Sequence, residues 1–219
     1  MKILNLYCGI GGNRRLWGDE HEITAVEIKP QIAAEYQKLF PRDTVIVGDA
    51  HKYLLEHFEE FDFIWSSPPC PTHSKMNDVL HAQGVRRYPD MMLYQEIIYL
   101  KHRFKGKFVV ENVMSYYDPL IIPQVLDRHY FWANFYIAPF DTERNFNWTN
   151  SRASTRLGDK EYDESLESYL GIHLAPEVKG KRLLLRNCVF PPLGKHILEW
   201  AQKETHKSLF DTRLTTKDS

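Results

Sequence analysis

The sequence predicts an α/β fold: an open, mostly parallel sheet with helices on both faces. Two observations carry this. Short apolar runs alternate with segments of helical spacing through the first half of the chain, the pattern of strands joined by crossover helices. A glycine, an acid or a cysteine also follows each apolar run, at Gly9, Glu27, Asp49, Cys70 and Glu111. Ligands collect at the carboxyl ends of parallel strands, so these residues are expected to converge on one rim.

Ile3 to Tyr7 reads as the first strand. It ends in Cys8-Gly9-Ile10-Gly11-Gly12, where glycines permit a sharp turn and a close ligand. Ile23 to Glu27 is the second strand and Pro30 to Phe40 a helix. Thr44 to Val47 is the third strand, closed by Gly48-Asp49, and a short helix covers Lys52 to Phe58. Phe61 to Trp65 is the fourth strand, and the polar stretch Pro71 to Tyr88 reads as a loop. Met91 to Phe104 has helical spacing, and Lys107 to Val110 is a fifth strand ending at Glu111-Asn112. Beyond Ile122 the pattern loosens. His129 to Ile137 reads as a long strand or hairpin arm, Lys160 to Leu170 as a short helix and Leu193 to Lys203 as a final helix. The polar tail after Thr205 is expected to fray.

The chain has 219 residues and a formal net charge of −1. A whole-chain basic excess is absent, so any nucleic-acid contact must come from local patches. The cysteines Cys8, Cys70 and Cys188 form no CxxC pair, which argues against a zinc site or disulfide framework and suits a reducing compartment. The start runs directly into a strand without a signal-peptide pattern, and no apolar stretch is long enough for a bilayer. A soluble, cytoplasmic protein without a membrane partner is expected, acting as a monomer.

Ser66-Ser67-Pro68-Pro69-Cys70-Pro71-Thr72-His73-Ser74 is the most informative run. Each proline fixes its own backbone angle and restricts the residue before it, so Cys70 is held on a stiff loop just past a strand. Taken alone, this is equally the pattern of an inert buried cysteine. The wider set of motifs resembles the cytosine-5 DNA methyltransferase family. Tyr7-Cys8-Gly9-Ile10-Gly11-Gly12 is similar to its S-adenosylmethionine loop, Pro68-Pro69-Cys70 to its nucleophile motif and Glu111-Asn112-Val113 to its glutamate motif. Pro123-Gln124-Val125-Leu126-Asp127-Arg128 is similar to its glutamine-arginine motif, and Asn187-Cys188-Val189 before Pro191-Pro192 to its last cofactor motif. The order matches from Ile3 to about Ala201. Asn5 stands where the family usually has aspartate, Pro71 where glutamine commonly follows the cysteine, and Leu126 where the first arginine is usual.

The resemblance implies a Rossmann-like, S-adenosylmethionine-dependent methyltransferase fold. It divides the chain into a catalytic and cofactor-binding domain (1–137), a small target-recognition region (138–182), a returning C-terminal segment (183–204) and a tail (205–219). It implies methyl transfer to carbon 5 of cytosine in double-stranded DNA. Cys70 is the candidate nucleophile, expected to be helped by a nearby positive charge or helix start that lowers the thiol pKa. Glu111 is the candidate partner of ring nitrogen 3, and Arg128 of the ring carbonyl. Candidate cofactor-binding residues are Tyr7, Gly9, Gly11, Gly12, Glu27, Ile28, Asp49, Ala50, Pro69, Asn187 and Val189. In this reading Glu27 meets ribose hydroxyls, Asp49 the adenine amine, and Trp17 with Ile28 either flank adenine or belong to the core. Candidate substrate-binding residues are Ser74, Lys75, Arg86, Arg87, Asn112 and Gln124, with Asn112 fixing the loop. Arg144, Arg152, Arg156 and the basic run Lys179 to Arg186 form a candidate second jaw. No metal is required, because a sulfonium already supplies the electrophile.

Other readings share these residues. An RNA-methylating enzyme of the same fold would use the same groups. A catalytically inactive DNA-binding relative would have less reason to keep Cys70, Glu111 and Arg128. An amino-methylating enzyme places an aromatic residue where Cys70 stands. The small size resembles compact modification enzymes of restriction-modification systems, mobile elements or phages. The short stretch between Asp141 and Gly180 implies a short or relaxed target site.

Overall fold

Strand alternation sorts apolar side chains to two faces, and both faces are covered. The strands are β1 (Lys2–Leu6), β2 (Glu22–Glu27), β3 (Thr44–Val47), β4 (Phe63–Ser66), β5 (Lys107–Val113), β6 (Gln124–Leu126) and β7 (His129–Ala133). In the computed structural model, which describes residues 1–141 and 159–203, they form one sheet in the order β3-β2-β1-β4-β5-β7-β6. The first five pair in parallel, and β7 lies antiparallel between β5 and β6. Leu4, Leu6, Ile64 and Val110 pack toward the helices α2 (Ala50–His57) and α4 (Met92–Arg103). Ile3, Phe63, Trp65 and Val109 pack on the opposite face, under the C-terminal helix α7 (Pro191–Gln202).

The remaining helices are α1 (Pro30–Leu39), α3 (Met76–Ala82), α5 (Asp159–Leu170) and α6 (Lys181–Arg186), with a 3-10 turn at Asn13–Leu16. α5 and α6 bury Leu166, Leu170 and Leu185 against Ile10, with Ile32 and Leu39 of α1 at the margin. The buried Asn5 of β1 is satisfied by Asn13 of the turn, whose Nδ2 donates to Asn5 Oδ1 at 2.8 Å. Two complementary amides thus satisfy each other at this buried position. Successive strand order reverses between β1 and β4, and such a switch point opens a crevice at the strand ends.

The structure differs from the sequence expectation in several places: α6 was not expected as a helix, and β4 starts at Phe63 instead of Phe61. β5 continues to Val113 because its antiparallel partner β7 pairs out to Val113 through His129, so Glu111 lies inside a strand. β7 stops at Ala133 rather than Ile137. There Asn134 accepts from the Phe108 amide at 3.0 Å and donates to the Gly106 carbonyl at 2.8 Å, turning the chain. The stretch 71–88 contains α3, and Gln124–Leu126 forms the edge strand β6. Arg144, Arg152, Arg156 and the tail lie outside the described residues. No described helix is long and apolar enough to cross a membrane.

Candidate functional site

The glycine loop after β1 and the Pro-Pro-Cys loop after β4 flank the crevice. On the first side, Glu27 at the end of β2 is 8 % exposed. Its Oε2 accepts from the Gly9 amide at 3.2 Å and its Oε1 from the Lys29 amide at 2.9 Å. A carboxylate has about four acceptor sites, so Glu27 orders the loop and keeps capacity for hydroxyl donors. Gly9 has φ +54°, and a Cβ there would meet nothing within 4 Å. Open space therefore lies over this backbone, beside Glu27. Ile28 is exposed next to it. Asp49 caps α2, accepting from the His51 and Lys52 amides through Oδ1 at 2.9 and 3.2 Å, with Ala50 buried behind it.

Tyr7 takes a left-handed backbone, φ 54°, uncommon for a residue with a Cβ. Its hydroxyl donates to Glu96 of α4, which is fully buried. The same carboxylate accepts from Ser66 Oγ at 2.6 Å and faces His51 Nδ1 at 3.0 Å. Burial and the Glu96 charge push the Tyr7 phenol far up, and the hydrogen bond to Glu96 pulls His51 up from its ordinary value. This network anchors the glycine loop to β4 and α2. An acid among the apolar positions Leu93, Tyr94, Ile97 and Leu100 was the sequence signal for it, and sequence reasoning missed it.

On the other side, buried Pro68 presents its carbonyl to Asn112 Nδ2 at 3.0 Å. The Asn112 Oδ1 accepts from the Val113 amide, so this side chain ties the Pro-Pro-Cys loop to β5 instead of reaching outward. Beyond Cys70 the chain turns at once, with the His73 and Ser74 amides donating to the Cys70 carbonyl at 3.0 and 3.1 Å. His73 is 1 % exposed, and its Nδ1 lies 2.7 Å from the Tyr117 hydroxyl. Ser74 bridges to Ser115. The loop is thus pinned on both sides of Cys70 to β5 and the segment after it.

Cys70 is partly buried. Burial, then the Glu111 charge, push its thiol up from the ordinary value. Against the expectation of a lowered thiol, the charge that acts on it is negative, and a backbone hydrogen bond pulls only weakly the other way. Glu111 is 7 % exposed. Arg128 occupies the β6–β7 turn after Asp127, which has φ 52°, and its carbonyl accepts from the Met114 amide at the end of β5 at 3.4 Å. Hairpin pairing therefore brings Arg128 beside the Glu111 strand. His129, one residue on, has Nε2 3.7 Å from Glu111 Oε1.

Several expected roles change. A Cβ on Gly11 would meet Phe40 and Tyr36, and one on Gly12 would meet Cys188 and the Val189 carbonyl. At these two glycines the missing side chain leaves room for protein neighbours. Trp17 is 2 % exposed and packs on Phe63 and Trp65, so it is core. The Gln124 amide is occupied at both ends, donating to the Phe135 carbonyl at 2.9 Å and accepting from the Ile137 amide at 2.8 Å. It braces the β6–β7 hairpin instead of facing a substrate. Lys181 and Arg182 pair with Glu167 and Asp163 at 3.0 and 2.7 Å, which removes them from a basic jaw. Val189 is buried and Asn187 exposed at the end of α6. Lys75, Arg86 and Arg87 are exposed, as is Pro69, while Ser74 Oγ accepts from the Met76 amide at 3.3 Å.

The family model for "C-5 cytosine-specific DNA methylase" matches residues 1–119. No curated protein matches the chain. Among solved structures, the Entamoeba histolytica methyltransferase EhMeth is similar over 92 % of this chain and 97 % of that one, with TM-score 0.56 and 11 % identity; that likeness speaks for the fold. A Spodoptera frugiperda DNMT2 variant is 27 % identical, over 51 % of this chain and 35 % of that one, with TM-score 0.36. The match spans about a third of that DNMT2 chain.

Proposed function

Because this chain belongs to the C-5 cytosine-specific DNA methylase family, we propose that it methylates carbon 5 of cytosine in DNA through a covalent bond from Cys70. Membership implies S-adenosylmethionine as methyl donor. The residues fit such a ligand: open space over Gly9 beside the Glu27 carboxylate and the exposed Ile28 would hold the ribose and base, and Asp49 the adenine amine. When bound, the cofactor supplies an electrophilic methyl sulfonium.

One observation carries the reading. A thiol on a proline-stiffened loop is tied through Pro68 and Asn112 to the strand that carries the buried Glu111 carboxylate, with an arginine on the adjoining hairpin. Cys70 Sγ attacks carbon 6 of the cytosine, and the carbon 5–carbon 6 π pair becomes available at carbon 5. Glu111 faces ring nitrogen 3 and shares a proton with it as negative charge develops. Arg128 holds the ring carbonyl oxygen. After methylation a base removes the carbon-5 proton and the sulfur leaves carbon 6. The thiol, raised in the free protein, reacts when substrate shields it from the Glu111 charge. A paired cytosine cannot reach this crevice, so the base is flipped out, at about a few kcal/mol. Exposed Lys75, Arg86 and Arg87 bind phosphates around it.

Duplex DNA carrying 5-fluorocytosine tests this. With S-adenosylmethionine present, the unsubstituted protein should form a band resistant to denaturation and Cys70→Ser should form none. A band persisting in Cys70→Ser refutes the nucleophile. Trapping on fluorinated RNA but not on DNA refutes the substrate.

A further inference from the structure

His129 is a residue the proposed reaction has not used. It follows Arg128 directly and pairs with Val113 of β5 and Leu126 of β6. Opposed residues in a ladder share a face, so Glu111, Phe131, Val113, His129 and Leu126 lie on one face, with His129 diagonal to Glu111. The His129 side chain is 14 % exposed and that of Glu111 9 %, and Nε2 stands 3.7 Å from Glu111 Oε1. The other ring nitrogen, Nδ1, is buried with no hydrogen-bond partner among the described residues. A buried polar atom without a partner is a liability for stability, and an aliphatic side chain would fill this place between Phe131 and Leu126 without it. The tautomer is also constrained. Hydrogen on Nδ1 would be stranded, whereas hydrogen on Nε2 points at a carboxylate.

We propose that His129 is a positioning residue for Glu111. It donates from Nε2 to Oε1, and so turns Oε2 toward nitrogen 3 of the flipped cytosine. This inference rests on the methyl-transfer reading above and adds to it. The 3.7 Å separation is longer than a hydrogen bond and closes when the base enters. His129 thereby acts through Glu111 without touching the substrate. The arrangement explains why an imidazole with one unpaired nitrogen occupies a strand position next to the candidate chemistry.

The test compares His129→Leu with His129→Gln. Leucine fills the apolar setting, and glutamine returns an N–H near the Nε2 position. Trapping on 5-fluorocytosine duplex DNA is followed as a single-turnover rate at saturating DNA and as the DNA concentration giving half that rate. His129→Leu should lower the maximal rate about tenfold to a hundredfold, the scale of an ångström-sized misplacement of reacting groups, with half-saturation unchanged. His129→Gln should recover most of the rate. An unchanged rate in His129→Leu, or glutamine no better than leucine, overturns the proposal while leaving the Cys70 mechanism intact. No trapping by the unsubstituted protein overturns both. Nitrogen NMR of the ring gives a readout independent of turnover. Hydrogen on Nε2 is expected, with a resonance that moves in Glu111→Gln; hydrogen on Nδ1 overturns the proposal.

Discussion

Replacing Glu96 tests whether the glycine loop is held from inside the core. Glu96→Gln keeps the shape and removes the charge. Three groups converge on this carboxylate: Tyr7 and His51 on Oε1, and Ser66 on Oε2. A hydrogen bond to a charged group contributes about 1.5–3 kcal/mol and a neutral one about 0.5–1.5. The difference is about 1 kcal/mol per bond, or about 3 in all. A buried carboxamide is cheaper to desolvate than a carboxylate, which offsets part of the loss and leaves about 1–3 kcal/mol of destabilisation. No donor is stranded, because the amide oxygen can replace Oε1 and the Ser66 hydroxyl can accept. Glu96→Leu strands all three groups and should cost about 3 kcal/mol or more. Urea unfolding with fixed slope measures both. His51 adds a pH signature. Its value is raised in the fold, so its contribution is fully present below the ordinary histidine range and disappears as pH rises through the folded value. The gap between the unsubstituted protein and Glu96→Gln should thus be wider at pH 6 than at pH 9. Glu96→Gln unfolding at the same urea concentration, or Glu96→Leu no worse than Glu96→Gln, would refute the reasoning.

Glu111→Gln should make Cys70 more reactive in the free protein, since it removes the negative charge that helps raise the thiol; iodoacetamide labelling at pH 8 should speed up, and slower labelling would contradict this. Gly12→Ala should destabilise by about 1–3 kcal/mol, the usual range for overpacking, because the new Cβ would meet Cys188 Cβ at 2.5 Å and the Val189 carbonyl at 2.7 Å; an unshifted melting curve would show that the C-terminal segment yields freely. Arg87→Ala should weaken DNA binding without regard to sequence and reduce the salt slope by about 1; an unchanged slope would remove it from the phosphate contacts.

Much of this fold was legible because strands and helices differ in period. Thr44–Val47 appears as read, and α1 starts at Pro30 as expected. Boundaries failed where a partner far along the chain decides them. β5 is longer than its apolar run because β7 pairs with it, and β6 is three residues of edge strand with little pattern to read. The rim residues Glu27, Asp49 and Cys70 follow strand ends as expected. The side chains that brace the loops around them were not legible, because Glu96 meets Tyr7, His51 and Ser66, and His73 meets Tyr117, only in three dimensions. Glycine was the least transparent residue. Gly9, Gly11 and Gly12 look alike in sequence, yet one opens to space and two admit protein neighbours.

The packing of α7 also bears on how this protein is made. Gly194 sits so close to Asn13 that a Cβ would lie 2.3 Å from its carbonyl, and Leu193, Ile197 and Leu198 cover Ile3, Phe63 and Trp65. During synthesis the central strands leave the ribosome long before this helix exists. Their second face then stays bare while the remaining chain is translated. A nascent chain in that state presents tryptophan and phenylalanine to solvent and invites chaperone capture. Ribosome stalling before residue 191 should therefore yield a protease-sensitive product, and release of the stall should close it.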